Sequence, residues 1–328
     1  MSVTQLSLDA WLEADARNSA PTFFARPAWA LALQDVMPGF VAAPLRVEIA
    51  GKRFVLPLLR ATDGRIRFAN YQGFPLGTYT CVLDERTMTP ADATDTLAVI
   101  ETIARRADTL QLVLWPLGPR PAGDRFAAHQ YETAVIDCSP GFDSVLRGVR
   151  GVTRRMAEQA TRRGVICARA PVSDLERYYA LLESASRGWG LSQPPISLPL
   201  LRAVFQRAGD AAQLWFAYLD DLPIGGGIVL LGASELFFWS AAMNRDYSRY
   251  RPSNALNLAL LDYTCSQGLR WYNLGANEGL EGVARFKHDL GAVPISYPLL
   301  HHHRVRYAVY DRLRAVFSPA RVGKHPIC

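Results

Sequence analysis

The chain has 328 residues, enough for two domains at roughly 100–200 residues apiece. Hydrophobic residues make up 49% and charged residues 20%, which supplies buried cores and excludes extended disorder. The formal charge of +6, from 36 Lys and Arg against 30 Asp and Glu, suits anionic small molecules such as nucleotides or CoA; it is compatible with RNA and too weak to require it.

The N-terminal stretch MSVTQLSLDAWLEADARNSA carries acids and no apolar run, so it reads as no signal peptide. No later segment approaches the roughly 18 apolar residues that span a bilayer, and a soluble, cytoplasmic protein is expected. Residues 8–16 have helical spacing, and Pro27 is placed to open a second helix at its first position. PLRVEIAGKRFVLPLLR reads as two strands joined at Gly51-Lys52, a hairpin signal. IRFANYQGF and TYTCVLD read as short strands, 89–107 as a helix, and LQLVLWPL (110–117) as a strand buried on both faces. Another strand is expected over 133–138.

From 141 to 163 an Arg-rich sequence predicts one long helix, followed by a strand at VICARA. LERYYALLESASR and LPLLRAVFQRAG read as helices. The segment QLWFAYLDDLPIGGGIVLLGASELFFWSAAM reads as three antiparallel strands turning at Asp220-Asp221 and at Gly232-Ala233-Ser234. An amphipathic helix over 253–267, a strand at RWYNLG, a short helix at VARFKHDLG, a strand at AVPISYPL and a tail helix at RVRYAVYDRLRAVF complete the chain. The second half thus feeds an antiparallel meander into one parallel βαβ step, which excludes a doubly wound sheet and a barrel.

That element order is the one found in the GNAT acyltransferases, and three stretches resemble their Fem-type (FemAB-like) double-domain branch. SVLRGVRGVTRRMAEQATRRGV is similar to the basic helix that opens the second domain of such proteins. YSRYRPSNALNLALLDYTCSQGLRWYNLGAN is similar to their strand-exit, helix and strand unit, with Asn273-Leu274-Gly275 where they carry a D-F-G-like tripeptide. GLEGVARFKHDLGA is similar to their F-K-x-x-F/L-G element, and the first half matches loosely through PLL…YQGFP…Y. The resemblance implies a mixed α/β (α+β) chain of two GNAT-like domains over 1–139 and 140–300, with a tail over 301–328 packed back on the first. It implies an N-acyltransferase that moves an acyl or aminoacyl group from an activated thioester or ester to an amine by direct attack. No cofactor would be bound permanently; acyl-CoA or aminoacyl-tRNA would be the donor substrate. The acceptor would be a small molecule or an envelope precursor; tRNA would be a partner where it carries the aminoacyl donor, and no DNA partner is expected. The alternative is a non-catalytic GNAT-fold accessory protein of polysaccharide or envelope assembly.

Ordinary GNAT enzymes place R-x-x-G-x-G/A before the helix that follows the meander. Here Arg249-Tyr250-Arg251-Pro252-Ser253-Asn254 has no glycine, which leaves the donor open. Ser253 and Asn254 open a helix, so exposed N–H groups and the positive dipole end suit a donor phosphate beside Arg249 and Arg251; a plain N-cap is the other reading. The resemblance adds Asn277 to the donor side. It also places Lys287 where GNAT enzymes keep a tyrosine that protonates the leaving thiolate. A lysine there would stabilise developing negative charge or hold a phosphate, against the plainer reading of a surface lysine on a short helix. His288 reads as its solvated neighbour.

On the acceptor side, Arg187 and Trp189 sit in a Gly-flanked loop (Gly188, Gly190), and Tyr247 joins them through the resemblance; simple packing of Trp189 is the other reading. Backbone N–H groups of LFFWSAAM would face the oxyanion. Asp246, Glu278 and Asp289 are candidate bases by location only. Gly225-Gly226-Gly227 leads into a strand rather than a helix, so it reads as a bulge or a close backbone approach, to a ligand under the resemblance, and not as a phosphate loop. Arg147, Arg150 and Arg154 would share one helical face, a grip for tRNA or a solvated basic surface. No aromatic residue lies between Arg147 and Arg163, which weakens an RNA-binding module. The five cysteines (Cys81, Cys138, Cys167, Cys265, Cys328) form no C-x-x-C pair and read as reduced thiols. His301, His302 and His303 lack a supporting carboxylate or Cys cluster, so no metal site is predicted.

Overall fold

The chain divides into two units, Met1–Tyr131 with the segment beginning at Ser296, and Glu132–Ile295. The computed structural model describes residues 1–17, 19–62, 69–74, 78–120, 126–277 and 279–305. The tail helix expected over 304–317 lies, from residue 306 on, outside the described residues, as do Glu278 and Cys328.

The first unit contains β1 (Ser2–Gln5), α1 (Leu8–Asp15), α2 (Pro27–Val36), β2 (Phe40–Ala42), β3 (Leu45–Ile49), β4 (Lys52–Leu56), β5 (Leu59–Ala61), β6 (Asn70–Gln72), β7 (Leu83–Asp84), α3 (Ala93–Ala104) and β8 (Thr109–Val113). β1, β3, β4 and β7 form an antiparallel sheet in that order. Ala50 and Gly51 turn the β3–β4 hairpin at φ 50° and 80°, so Lys52 already pairs with Ile49 and the turn falls one residue before the expected Gly51-Lys52. Pro27 occupies the first turn of α2, where its missing N–H costs nothing. Val99, Ile100 and Ile103 of α3 pack with Val47, Phe54, Leu56, Leu110 and Leu112 in one core. β8 alternates, with Leu110 and Leu112 buried and Gln111 only partly so; its apolar sequence had suggested burial on both faces. On β15 (Val293–His303), whose end pairs with β8, the His301 and His303 rings lie 5.2 Å apart.

The chain enters the second unit along β9 (Ala127–Asp137), then forms α4 (Phe142–Gly148), α5 (Gly151–Arg162), β10 (Val165–Ala170), α6 (Leu175–Gly188), α7 (Leu198–Ala208), β11 (Ala212–Leu219), β12 (Leu222–Leu231), β13 (Glu235–Met243), α8 (Pro252–Ser266), β14 (Trp271–Asn273) and α9 (Glu281–Asp289). The sheet order is β10-β11-β12-β13-β14-β9, antiparallel except for the parallel β13–β14 pair, which is the expected meander and βαβ step. α8 covers one face, where Leu256, Leu260 and Leu261 pack with Val229, Leu236 and Tyr272. On the other face Tyr178 of α6 donates its hydroxyl to Ser240 Oγ at 2.7 Å.

The single helix expected over 141–163 is two. Val149 and Arg150 are extended (ψ 132° and 136°), flanked by Gly148 and Gly151. Val149 is 1% exposed in the α8 core, while Arg150 gives its backbone N–H to the Asp289 carbonyl (2.9 Å) and its guanidinium to the Asp289 carboxylate (3.0 Å). These tertiary bonds outweigh one helical turn, so Arg147 shares no helical face with Arg154.

Gly225, Gly226 and Gly227 lie inside β12, directly after a bulge at Ile224. A Cβ would come within 2.2 Å of Met243 Sδ at Gly225, 2.6 Å of Phe216 Cδ1 at Gly226 and 2.2 Å of Phe238 Cε2 at Gly227. The close approach is therefore to the protein's own side chains rather than to a ligand. Gly226→Ala is expected to destabilise the protein by about 1–3 kcal/mol through overpacking, read as a lower urea midpoint. Unchanged stability would mean that the Phe216 ring has room to move aside.

Candidate functional site

A parallel pair of strands exposes backbone edges where it stops pairing. β13 and β14 pair only at Glu235–Trp271, Leu236–Tyr272 and Phe237–Asn273, and β13 then runs on to Met243 beside β12, with no strand on its other edge among the described residues. At this point β13 bulges. Ile228 pairs with Ser240 and Val229 with Phe238, leaving Trp239 as the extra residue. Phe238 stacks on Tyr272 on the α8 face, and the bulge turns Ser240 to Tyr178 on the α6 face.

The chain leaving β14 turns to β9 instead. Leu274 N–H donates to the Ala134 carbonyl (2.8 Å), and Ala134 N–H to the Gly275 carbonyl (3.1 Å). Gly275, at φ 72°, sits against the Phe237 ring, whose Cζ would be 3.5 Å from a Cβ placed there. Beneath the wedge is a buried polar chain. Thr133 Oγ1 donates to Asn273 Oδ1 (2.6 Å), Gly275 N–H donates to the same oxygen (2.9 Å), and Asn273 Nδ2 donates to Glu235 Oε1 (2.7 Å).

Lys287, expected at the chemistry or on the surface, is 7% exposed. Its Nζ donates to the carbonyls of Gly275 (2.9 Å) and Ala276 (2.6 Å), so it clamps the exit of β14 rather than extending a cation to solvent. Asn277 follows directly. Its Nδ2 donates to Glu132 Oε1 at 3.2 Å, while its Oδ1 is shielded from solvent and has no hydrogen-bond partner among the described residues. Glu132 went unnoticed in the sequence, since nothing local links it to Asn277.

α8 begins at Pro252 behind Arg251, a left-handed N-cap (φ 58°, ψ 40°) with no side-chain cap. Ser253 is therefore inside the helix and is not its cap, and Asn254 is buried, its N–H on the Arg251 carbonyl. A left-handed conformation costs a non-glycine residue about 1 kcal/mol or more, and such strain gathers at functional sites. The short helical turn Arg245–Tyr250 connects β13 to this cap. Arg245 lies against Gly188 at the end of α6, Arg249 lies 5.0 Å over the Tyr250 ring, and the Arg163 guanidinium donates to the Arg249 carbonyl. Arg163, Arg245, Arg249 and Arg251 thus border one loop, and none of them is paired with a carboxylate among the described residues. The sequence singled out two of the four for this role. Arg245 lies in the same NRDYSRYR segment, but Arg163 is brought in by the fold.

Arg187 lines a cleft with Tyr179, Glu183, Leu191 and Gln193, and Trp189 caps α6 at 50% exposure. Tyr247 packs beside Tyr250, Ala160 and Ile224, so Arg245 is the residue that this loop sets against the end of α6. Of the candidate bases, Asp289 is held below the usual carboxylate range by the hydrogen bond from Arg150, which outweighs desolvation and makes it a poor proton acceptor. Asp246 is exposed, its N–H on Asn244 Oδ1. The thiols are no better placed for chemistry: burial pushes Cys167 up to about 12 and Cys138 well above its ordinary value.

Residues 145–288 match the family model described as an acetyltransferase (GNAT) domain. No curated protein matches the chain. Among solved structures, FemX is similar with a TM-score of 0.71 at 11% identity, over 95% of this chain and 100% of that one. A conserved protein of unknown function from Bacteroides thetaiotaomicron is similar with a TM-score of 0.58 at 10% identity, over 93% of this chain and 100% of that one. At such identities the likeness is one of fold. The chain therefore has the Fem-type GNAT fold, with its GNAT domain in the second unit.

Two predictions follow from the clamp and from the thiols. Lys287→Met would leave the Ala276 carbonyl without its Nζ donor and the Gly275 carbonyl with Ala134 N–H alone, and lower stability by roughly 1–3 kcal/mol in urea unfolding; a neutral effect would remove its structural role. At pH 8, Cys138 and Cys167 should react with a disulfide reagent far more slowly in the native protein than in urea, because raised pKa values keep both protonated. Equal rates would contradict their burial.

Proposed function

We propose that the chain is an N-acyltransferase whose activated donor lies in the wedge where β13 and β14 part. The observation that carries this reading is the coincidence of three features at one end of the sheet: the parting itself, the bulge at Trp239, and the start of α8 beside unpaired arginines. In this reading the donor's carbonyl enters the wedge and meets backbone N–H groups of the bulged strand, which favour the oxyanion over the ground-state carbonyl. The amine nitrogen attacks the acyl carbon, the bond from that carbon to the carrier sulfur or oxygen breaks, and the amine's proton leaves with the carrier. Holding both reactants in register supplies most of the acceleration, up to roughly 7–11 kcal/mol in ideal cases.

The carrier is an anion. Arg163, Arg245, Arg249 and Arg251 supply by side-chain charge what a glycine loop supplies by backbone amides, and the positive end of α8 adds to them. CoA and the 3′ end of an aminoacylated RNA both present such phosphates. The acceptor is a primary amine, on a small molecule or an envelope precursor, and it approaches from the side of Arg187 and Trp189. Lys287 acts through the loop that it clamps, by fixing the far wall of the wedge.

The test is the thermal midpoint with acetyl-CoA, longer acyl-CoAs and a short aminoacylated RNA hairpin, for the wild type and for Arg249→Ala/Arg251→Ala. One donor class should raise the midpoint, and the variant should weaken its binding about tenfold or more. The class that stabilises names the carrier. If none does, acyl transfer fails as a reading, and a non-catalytic binding role takes its place.

A further inference from the structure

We infer that the groove between α5 and α8 is a binding site for a single aliphatic chain that ends in a phosphate. The inference goes beyond the acyl-transfer reading and shares with it only the anion-binding arginines before α8. The groove has a volume of about 490 Å³, within the roughly 300–1,000 Å³ of small-molecule sites. Ala157 and Thr161 of α5 line one side and Ala255 and Ala259 of α8 the other, and these side chains are too short to close it. Val165 and Ile166 also line it, from β10, the outermost strand of the sheet. Ile166 is 66% exposed, and Phe142, Leu146 and Leu258 are half-buried around the same groove. Single exposed apolar residues are ordinary, but apolar side chains gathered around one cavity mark a surface that is covered in use.

The two ends of the groove differ in charge. Arg163 caps α5 and gives its guanidinium to the Arg249 carbonyl, which sets the C-terminal end of α5 beside the start of α8. Thr161 and Ala255 therefore lie at the arginine end, and Arg154 and Asp262 at the other. Ala160, Val165 and Ala255 share a small core with Tyr250, so the apolar lining continues up to the loop that carries Arg249 and Arg251. Arg163, Arg249 and Arg251 are exposed there, and a doubly charged phosphate suits three guanidinium groups. The rest of the groove carries both signs, Arg154 with Glu158 and Asp262, so the head belongs at the arginine end and the chain runs toward α4. A phosphate ester without a chain leaves the groove empty, and a neutral lipid leaves the arginines unmet.

Isothermal titration of the full chain with hexyl, octyl and decyl phosphate, below micelle-forming concentrations, tests the site. Each added methylene should tighten binding about two- to fourfold as it leaves water. Inorganic phosphate, and octyl glucoside with its neutral head, should each bind about tenfold or more weakly than octyl phosphate. Ile166→Ser, at an exposed position, and Ala259→Phe, which fills the groove, should weaken decyl phosphate about tenfold and leave inorganic phosphate unchanged. Arg163→Gln should weaken both ligands, and the thermal midpoint of each variant checks its folding. Affinity that does not rise with chain length, or decyl phosphate binding that neither groove variant weakens, would overturn the inference. So would self-association that Ile166→Ser abolishes and decyl phosphate leaves intact, since the groove then belongs to a second copy of the chain. Chain-dependent binding without stabilisation by any acyl donor retains the groove site and rejects acyl transfer; donor stabilisation without chain dependence rejects the groove site alone.

Discussion

Once β13 and β14 part after Phe237 and Asn273, the peptide groups beyond β14 need new partners, because a buried backbone group cannot be left without one. The chain resolves this in two directions. Ala134 takes up Leu274 N–H and the Gly275 carbonyl, and the Lys287 ammonium adds a second donor to that carbonyl and takes up the Ala276 carbonyl beyond it. The wedge is thus held open by bonds made elsewhere, and the chain from Thr133 through Asn273 to Glu235 fixes its base from below. Loss of strand pairing frees this edge of β13, and these substitutes hold the departing chain on β9.

The same economy of backbone governs the opposite wall. A glycine loop before α8 would present several N–H groups to a phosphate at the price of a flexible turn. Here Pro252 gives up one N–H outright, Arg251 adopts a left-handed cap, and the positive charge around the helix start sits on arginine side chains. Guanidinium groups reach further than amides and tolerate variation in where the phosphate lies.

Much of this architecture was legible in the sequence because it depends on local signals. The meander announces itself through its apolar runs and its turns at Asp220-Asp221 and Gly232-Ala233-Ser234, and α2 through Pro27. What the sequence concealed depends on distant partners. The break at Val149 and Arg150 exists because Asp289 captures Arg150 from far along the chain. Helical propensity alone favoured a continuous helix there. Lys287 was placed at the chemistry by resemblance, with a surface lysine on a short helix as the plainer reading; only the position of two carbonyls makes it a buried clamp. Ser253 has the chemistry of a cap, but Pro252 before it had already begun the helix. Arg249 and Arg251 were found by their place in a motif, whereas Arg163 and Glu132 needed the fold to bring them there.

The three glycines of β12 carry a consequence for how this sequence can drift. Phe216, Phe238 and Met243 fill the space that side chains at Gly226, Gly227 and Gly225 would claim. Each glycine and its partner therefore share one volume and can change only together. An alanine becomes tolerable at Gly226 when Phe216 shrinks, and a smaller residue at position 216 leaves a void that only a Cβ at 226 can fill. Relatives of this chain should show these positions changing as pairs, so that large-for-small exchanges across β12 mark lineages without disturbing the sheet that carries the wedge.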